Sequence, residues 1–181
     1  DNQLDYLANP PIDLRLWQQE LGNEYAVLFR AHYYISKVLV PHLDLDSVID
    51  VTDYSSINDL LIVSDVLVSD YSSLFFDFSI MEKPMFCFAY DLDEYKKRVG
   101  FYIDLEKEIP GGVITEEREL LRRIKNMDYE RECETVSSFR DKYVQEYGDA
   151  ARKISEFMLS IVGGKDLSDE DGFEWGATPD L

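Results

Sequence analysis

Short apolar runs alternate with amphipathic stretches along this chain, the pattern of parallel strands joined by crossover helices. Leu14 to Leu21 has apolar residues at helical spacing and runs into Gly22-Asn23, which predicts a short helix with a glycine stop. Tyr25 to Arg30 (YAVLFR) predicts a strand and Ser47 to Val51 (SVIDV) a second. A helix follows from Ile57 to Ser64, with Ser56 and Asp59 forming a capping-box pattern at its start. Asp65 to Ser69 (DVLVS) predicts the third strand, and Ser72 to Glu82 a strongly apolar helix stopped by Lys83-Pro84. Met85 to Tyr90 (MFCFAY) predicts the fourth strand.

Beyond it, Leu92 to Arg98 reads as a short helix, Phe101 to Leu105 as an extended piece, and Pro110-Gly111-Gly112 as a turn. Thr115 is placed as the cap of a helix over Glu116 to Lys125. Helical periodicity resumes from Tyr129 to Ile161, with a break at Tyr147-Gly148. There are no internal repeats. The fold class is therefore α/β: a Rossmann-like parallel sheet with helices on both faces. Such a sheet ordinarily has a strand ahead of Leu14, but Asn9, Pro10 and Pro11 make that stretch a poor one. Either the sheet begins at YAVLFR or a strand lies upstream, and an opening at Asp1 without methionine predicts a domain boundary there.

Composition narrows the classes. The chain has 181 residues, enough for one domain with a real core, and 45% hydrophobic residues, a globular share. A net charge of −19 argues against a nucleic-acid or anionic-lipid partner, because phosphates are repelled over most of the surface. A phosphate ligand then needs a local site of backbone N–H groups and a few cations. Part of the acidity sits in residues 163–181, where Asp166, Asp169, Glu170, Asp171, Glu174 and Asp180 face Lys165 alone. That composition predicts a disordered acidic tail after a domain spanning 1–162. No apolar run is long enough to span a bilayer, and no leader pattern is present. Cys87 and Cys133 suggest neither a disulfide framework nor a metal cage, which fits a reducing cytoplasm.

Chemistry in open α/β sheets gathers where strands end and helices begin. In DVLVSDYSSLFFDF the strand hands over to Ser69-Asp70-Tyr71-Ser72-Ser73 and a helix follows at once. Ser72 and Ser73 are placed to donate to a phosphate beside free N–H groups, and Asp77 shares their helical face. The plainer alternative is that Asp70 or Ser72 caps the helix. At the end of YAVLFR, Arg30 and His32 offer a cation and an imidazole, able to neutralise a diphosphate and protonate a departing phosphate. The alternative there is a surface arginine paired with an acid, beside a histidine satisfied by backbone; His42, after Pro41, reads as structural. Asp50-Val51-Thr52-Asp53-Tyr54 reads as a capped turn rather than a base pocket. Phe75, Phe76, Phe78, Ile80 and Met81 read as core packing, and the apolar face around Ile154, Phe157, Met158 and Ile161 as docking on its own domain. No P-loop, G-x-G-x-x-G, H-E-x-x-H or C-x-x-C occurs.

Four linked signatures then stand in order: R-x-H at Arg30 and His32, S-D-Y-S-S-x-x-x-D from Ser69 to Asp77, K-P at Lys83-Pro84 before a strand, and F-Y-x-D-x-E with P-G from Phe101 to Gly111. Over roughly Tyr25 to Lys125 the chain resembles the CDP-glycerol:poly(glycerophosphate) glycerophosphotransferase family. The resemblance implies the carboxyl-terminal, donor-binding half of a GT-B-type fold, with CDP-glycerol as donor substrate, CMP as product and no separate cofactor. It implies that His32 contacts the diphosphate and supports the leaving group. Arg30, Ser72 and Ser73 would position the phosphates, with Ser69 and Asp70 in the same donor site, and Asp77 would serve the ribose or the helix entry.

The resemblance further implies a polyol-phosphate acceptor of the teichoic-acid kind and an amino-terminal half with a W-H-G-type motif absent from this sequence. It implies work at the inner face of the cell membrane by peripheral association of the full-length enzyme, and a fragment inactive alone. Two other classes compete: the donor half of a glycosyltransferase or nucleotide-sugar epimerase, separable by competition between CDP-glycerol and UDP-sugars, and a docking module using the acidic tail.

Overall fold

A computed structural model describes residues 12–31, 45–146 and 148–162. In chain order its elements are α1 (Leu14–Leu21), β1 (Val27–Phe29), β2 (Val48–Asp50), α2 (Ile57–Val63), β3 (Leu67–Ser69), α3 (Leu74–Ser79), β4 (Met85–Phe88), α4 (Leu92–Arg98), α5 (Leu105–Glu108), β5 (Val113–Ile114), α6 (Glu117–Lys125), α7 (Tyr129–Tyr143) and α8 (Ala150–Val162). All four residues of β4 are buried, which a strand achieves only when both faces of its sheet are covered. The alternation of side chains then divides the core in two. Met85, Cys87 and Ala89 point to one face, where they meet Phe75 and Phe78 of α3 and Val136 and Phe139 of α7. Phe86 and Phe88 point to the other, against Trp17 and Leu21 of α1 and Leu120, Leu121 and Ile124 of α6. This is the predicted parallel α/β arrangement with helices on both faces.

The strands pair as two ladders, β1-β2 and β3-β4-β5, every pair parallel. Val27 lies opposite Val48, Leu67 opposite Met85, and Cys87 opposite Val113. Local chemistry explains the element boundaries. Asp13 caps α1 by accepting from the N–H groups of Arg15 and Leu16 at 3.0 and 3.3 Å. Glu117 binds that helix to α6, its Oε1 accepting from Trp17 Nε1 at 2.8 Å and from Asp13 N at 2.7 Å. Ser56 Oγ accepts from Asp59 N at 3.3 Å, as the capping pattern predicted. The lysine of the K-P signature closes the far end of α2, where Lys83 Nζ donates to the carbonyls of Ile62 and Ser64 at 3.1 and 2.7 Å. The turn at Gly111 and Gly112 needs their φ of +73° and +70°, a region open chiefly to glycine.

Several expectations are corrected. The helix read over Ser72 to Glu82 spans only Leu74–Ser79. Its carboxyl end tightens into i→i+3 bonds, Met81 N to Phe78 O and Glu82 N to Ser79 O, both 3.0 Å, and Glu82 turns to φ +55° before Lys83-Pro84. Phe101 to Leu105 is not a strand; a single helical turn, α5, begins at Leu105. The fifth strand is instead Val113–Ile114, two residues too short to show an alternation in sequence. Thr115 does not cap α6: Glu116 holds the N-cap position, without a side-chain bond. The break in the last helical stretch lies where it was predicted, between α7 and α8. Of the apolar face of α8, Phe157 is half-buried, while Ile154, Met158 and Ile161 are 57, 60 and 53% exposed among the described residues. The 163–181 tail lies outside the described residues.

Candidate functional site

A cleft of about 580 Å³ opens between β1 and β3. Backbone and side chains of residues 24–31 form one wall and of 63–70 the other, with Trp17, Phe88 and Ile124 at its floor. Arg30 and Ala31, just past β1, and Ser69 and Asp70, at the end of β3, all line it. The strand ends therefore present the first two candidate junctions to a common space, the position where open parallel sheets bind ligands.

Arg30 is exposed, and its Nη1 donates to the carbonyl of Tyr54 at 2.6 Å and that of Val51 at 3.4 Å. It thus ties the loop after β2 to the end of β1, and its partners are carbonyls rather than the acid the plainer reading supposed. The guanidinium has five N–H donors, so this anchoring leaves others for a ligand. The 50–54 segment is the turn expected of it: Thr52 N donates to Asp50 Oδ1 at 2.9 Å, Tyr54 N to Val51 O at 3.0 Å, and Ala31 N to Thr52 Oγ1 at 3.2 Å. His32, the residue assigned to acid chemistry, lies outside the described residues, as does His42.

After β3 the chain turns sharply into α3. Ser72 Oγ accepts from Leu74 N at 3.1 Å, so Ser72 does cap the turn, while its own proton stays available to donate. Ser73 occupies the N-cap position without a side-chain bond and is exposed. Asp77 is exposed on the first turn of α3. Ser72, Ser73 and Asp77 do not line the cleft, whereas Ser69 and Asp70 do. The structure therefore brings together Arg30, Ser69 and Asp70, and leaves the two hydroxyls and Asp77 on the adjoining helix entry.

Contacts of Tyr71 and Cys87 that the sequence reading did not foresee hold this loop in place. Tyr71, at its centre, donates to Asp91 Oδ1 at 2.7 Å and stacks on Tyr95 at 3.8 Å between ring centroids, with Phe101 tilted at 5.5 Å. Burial and then the Asp91 contact push the Tyr71 phenol well above its ordinary value, so it stays a donor. Cys87, beneath the loop on β4, donates from Sγ to the Asp70 carbonyl at 3.4 Å. Burial, with Asp70 nearby, pushes that thiol up to about 12, which makes it an inert packing group rather than a nucleophile. The aromatic-acidic signature beginning at Phe101 was the available signal: its ring supports the serine-rich loop from 30 residues away. No cluster of three metal-ligating side chains occurs among the described residues.

The chain is a parallel α/β fold with a cleft at its strand ends, and comparison with known proteins gives its family. The model for the CDP-glycerol:poly(glycerophosphate) glycerophosphotransferase family matches residues 1–160, and the chain belongs to that family. It is 36% identical over 157 residues to a teichoic acid poly(glycerol phosphate) polymerase of Staphylococcus epidermidis, covering 84% of this chain and 22% of that protein. It is likewise 36% identical over 158 residues to a teichoic acid glycerol-phosphate transferase of Staphylococcus aureus, covering 85% of this chain and 40% of the other. A teichoic acid ribitol-phosphate primase of Bacillus spizizenii matches at 30% over 154 residues, covering 84% of this chain and 39% of the primase. Among solved structures, the wall teichoic acid polymerase TagF superposes with a TM-score of 0.71 at 35% identity, over 86% of this chain and 39% of that one. A TagF variant soaked with CDPG gives 0.73 at 34% identity, over 86% of this chain and 39% of that one. The chain spans well under half the length of these relatives.

Proposed function

We propose that this chain is the donor-binding half of a CDP-glycerol glycerophosphotransferase, holding the nucleotide while glycerol phosphate passes to a polyol-phosphate acceptor. The observation that carries the reading is that Arg30, just past β1, and Ser69 and Asp70, at the end of β3, line one cleft in a chain of this family. The reaction needs the acceptor hydroxyl oxygen to bond to the β-phosphorus bearing glycerol. The bond from that phosphorus to the bridging oxygen breaks, and CMP departs. Negative charge grows on the CMP phosphate, so a preorganised donor there lowers the barrier.

In this proposal His32 supplies that donor as an imidazolium, and Arg30 offsets the diphosphate's charge with the N–H groups not bonded to Val51 and Tyr54. Ser72 and Ser73 donate hydroxyl protons to phosphate oxygens, and Ser69 adds a third hydroxyl at the cleft edge. Asp70 and Asp77 cannot favour phosphate, since like charges repel; they suit the ribose or glycerol hydroxyls, which donate to carboxylates. The acceptor and its base belong to the other half of the full enzyme, working at the inner membrane face. Among the described residues no helix is long and apolar enough to span a bilayer.

Turnover of the full-length enzyme with CDP-glycerol tests the reading. His32→Ala and Ser73→Ala are each expected to lower kcat by about 10² or more, with the thermal transition unchanged. Wild-type rates in both variants would remove the proposed roles. Calorimetric competition with CMP, CDP-ribitol and UDP-sugars separates glycerol from ribitol transfer and from sugar transfer.

A further inference from the structure

The turn after β4 reaches the serine-rich loop from a second side. Tyr90, two residues past the strand, lines the same cleft as Arg30, Ser69 and Asp70. Asp91 follows at the N-cap position of α4, where an aspartate ordinarily accepts from the free N–H groups of its own helix. Its side chain makes no such capping bond. The Asp91 backbone carbonyl starts the helix, accepting from Glu94 N at 3.0 Å and Tyr95 N at 2.9 Å. Its carboxylate is directed elsewhere, to the Tyr71 hydroxyl at 2.7 Å, 20 positions back in the chain. One helical turn on, the Tyr95 ring stacks on Tyr71 at 3.8 Å, and Phe101 closes on both rings at 5.5 and 5.4 Å. A seven-residue helix with no buried residue depends on its local bonds, yet this one gives up its cap to hold the loop. A local preference set aside in this way marks a functional constraint.

We infer that Asp91 is a positioning residue of the donor site, acting through the Tyr71 hydroxyl to aim Ser72 and Ser73 at the donor phosphates. The inference rests on the reading of the serine-rich loop as the phosphate-binding part of that site. On one side of Tyr71, Asp70 lines the cleft and has its carbonyl held by the Cys87 thiol at 3.4 Å. On the other, Ser72 accepts from Leu74 N at 3.1 Å and Ser73 takes the N-cap position of α3. With Asp70 fixed from β4 and Tyr71 from the turn beyond it, the direction in which the chain leaves Tyr71 is set, and the place of both hydroxyls with it. Such donors matter most as charge builds on the departing phosphate, and a misplacement of about 1 Å costs on the order of 10² in rate. Asp91 therefore contributes to catalysis without touching the reacting atoms.

Steady-state kinetics of the full-length enzyme, run below the thermal transition of every variant, test this. Asp91→Ala and Tyr71→Phe are each expected to lower kcat/KM for CDP-glycerol by about tenfold or more, with the KM for the acceptor unchanged. Asp91→Asn keeps an oxygen able to accept from the phenol and is expected to stay within about threefold of wild type. In a Ser73→Ala background, Asp91→Ala is expected to cost about threefold or less, because one of the two hydroxyls it aims is gone. Should Asp91→Ala fail to fold, the same coupling is read from Tyr71→Phe. A pair that only supports the fold lowers the thermal transition and leaves these rates alone. Wild-type kcat/KM in Asp91→Ala, or an equal loss with and without Ser73, would overturn the inference. Failure of the donor reading looks different: a UDP-sugar rather than CDP-glycerol would then support turnover, and the coupling of Asp91 to Ser73 would be measured with that donor.

Discussion

At the scale of single residues, the serine-rich loop is held from below. Tyr71 reaches Asp91 through its hydroxyl and Tyr95 through its ring, while the Cys87 thiol holds the Asp70 carbonyl. Both groups titrate above their ordinary values, chiefly because burial disfavours the charged form. The sign of the linkage follows: the folded chain keeps these protons where the unfolded chain loses them, so their contribution is complete below about pH 9 and falls as pH rises toward 12. Urea midpoints measured from pH 8 to pH 11 are expected to fall, and Cys87→Ala with Tyr71→Phe is expected to flatten that fall. At neutral pH, Tyr71→Phe alone is expected to cost about 1 kcal/mol through the lost hydroxyl bond and to weaken CMP binding in the full enzyme. A steep alkaline loss that persists in the double variant would assign it to other groups. Neither contact was legible in sequence. Tyr71 and Asp91 are 20 positions apart, and no local periodicity links a turn residue to a helix entry on the next βα unit.

At the scale of elements, the two faces of the sheet are assembled by different devices. One relies on interdigitated rings, with Phe76 of α3 stacked on Phe139 of α7 at 5.5 Å. The other relies on close approach at the end of α1. A Cβ on Gly22 would stand 2.4 Å from Gln18 O and 2.5 Å from Ser47 Oγ, although the Gly22 backbone is ordinary at φ −62°. The glycine predicted as a stop signal is thus required for clearance rather than for a left-handed turn. Gly22→Ala is expected to destabilise by about 1 to 3 kcal/mol through overpacking, read as a lowered urea midpoint with an unchanged slope. A midpoint like wild type would mean that the α1–β2 contact yields freely. Strands and helices whose pattern repeats over several residues were legible: α1, α2, α4 and β4 lie where apolar spacing put them. The boundaries of α3 and the identity of β5 were not, because a tight final turn and a two-residue strand are decided by neighbours in space.

For the whole molecule, the buried apolar residues among those described gather, apart from Leu14, in two clusters on either side of β4. Residues 163–181 add six acids and one lysine but only a few apolar groups. Deleting them is expected to leave stability within about 0.5 kcal/mol of the parent and donor affinity in the full enzyme unchanged. Loss of CMP binding on that deletion, measured by calorimetry, would instead make the tail part of the site. The sequence by itself determined the α/β class, the place of β4 and membership of the family. Those depend on residues a few positions apart and on motifs read in order along the chain. Only the tertiary structure decided that Arg30 and Asp70 share a cleft, that Tyr71 locks the loop between them, and that the edges of β1 and β3 face one another. Those relations join positions 20 to 40 residues apart, and what enforces them is packing against a common core, which no local pattern encodes.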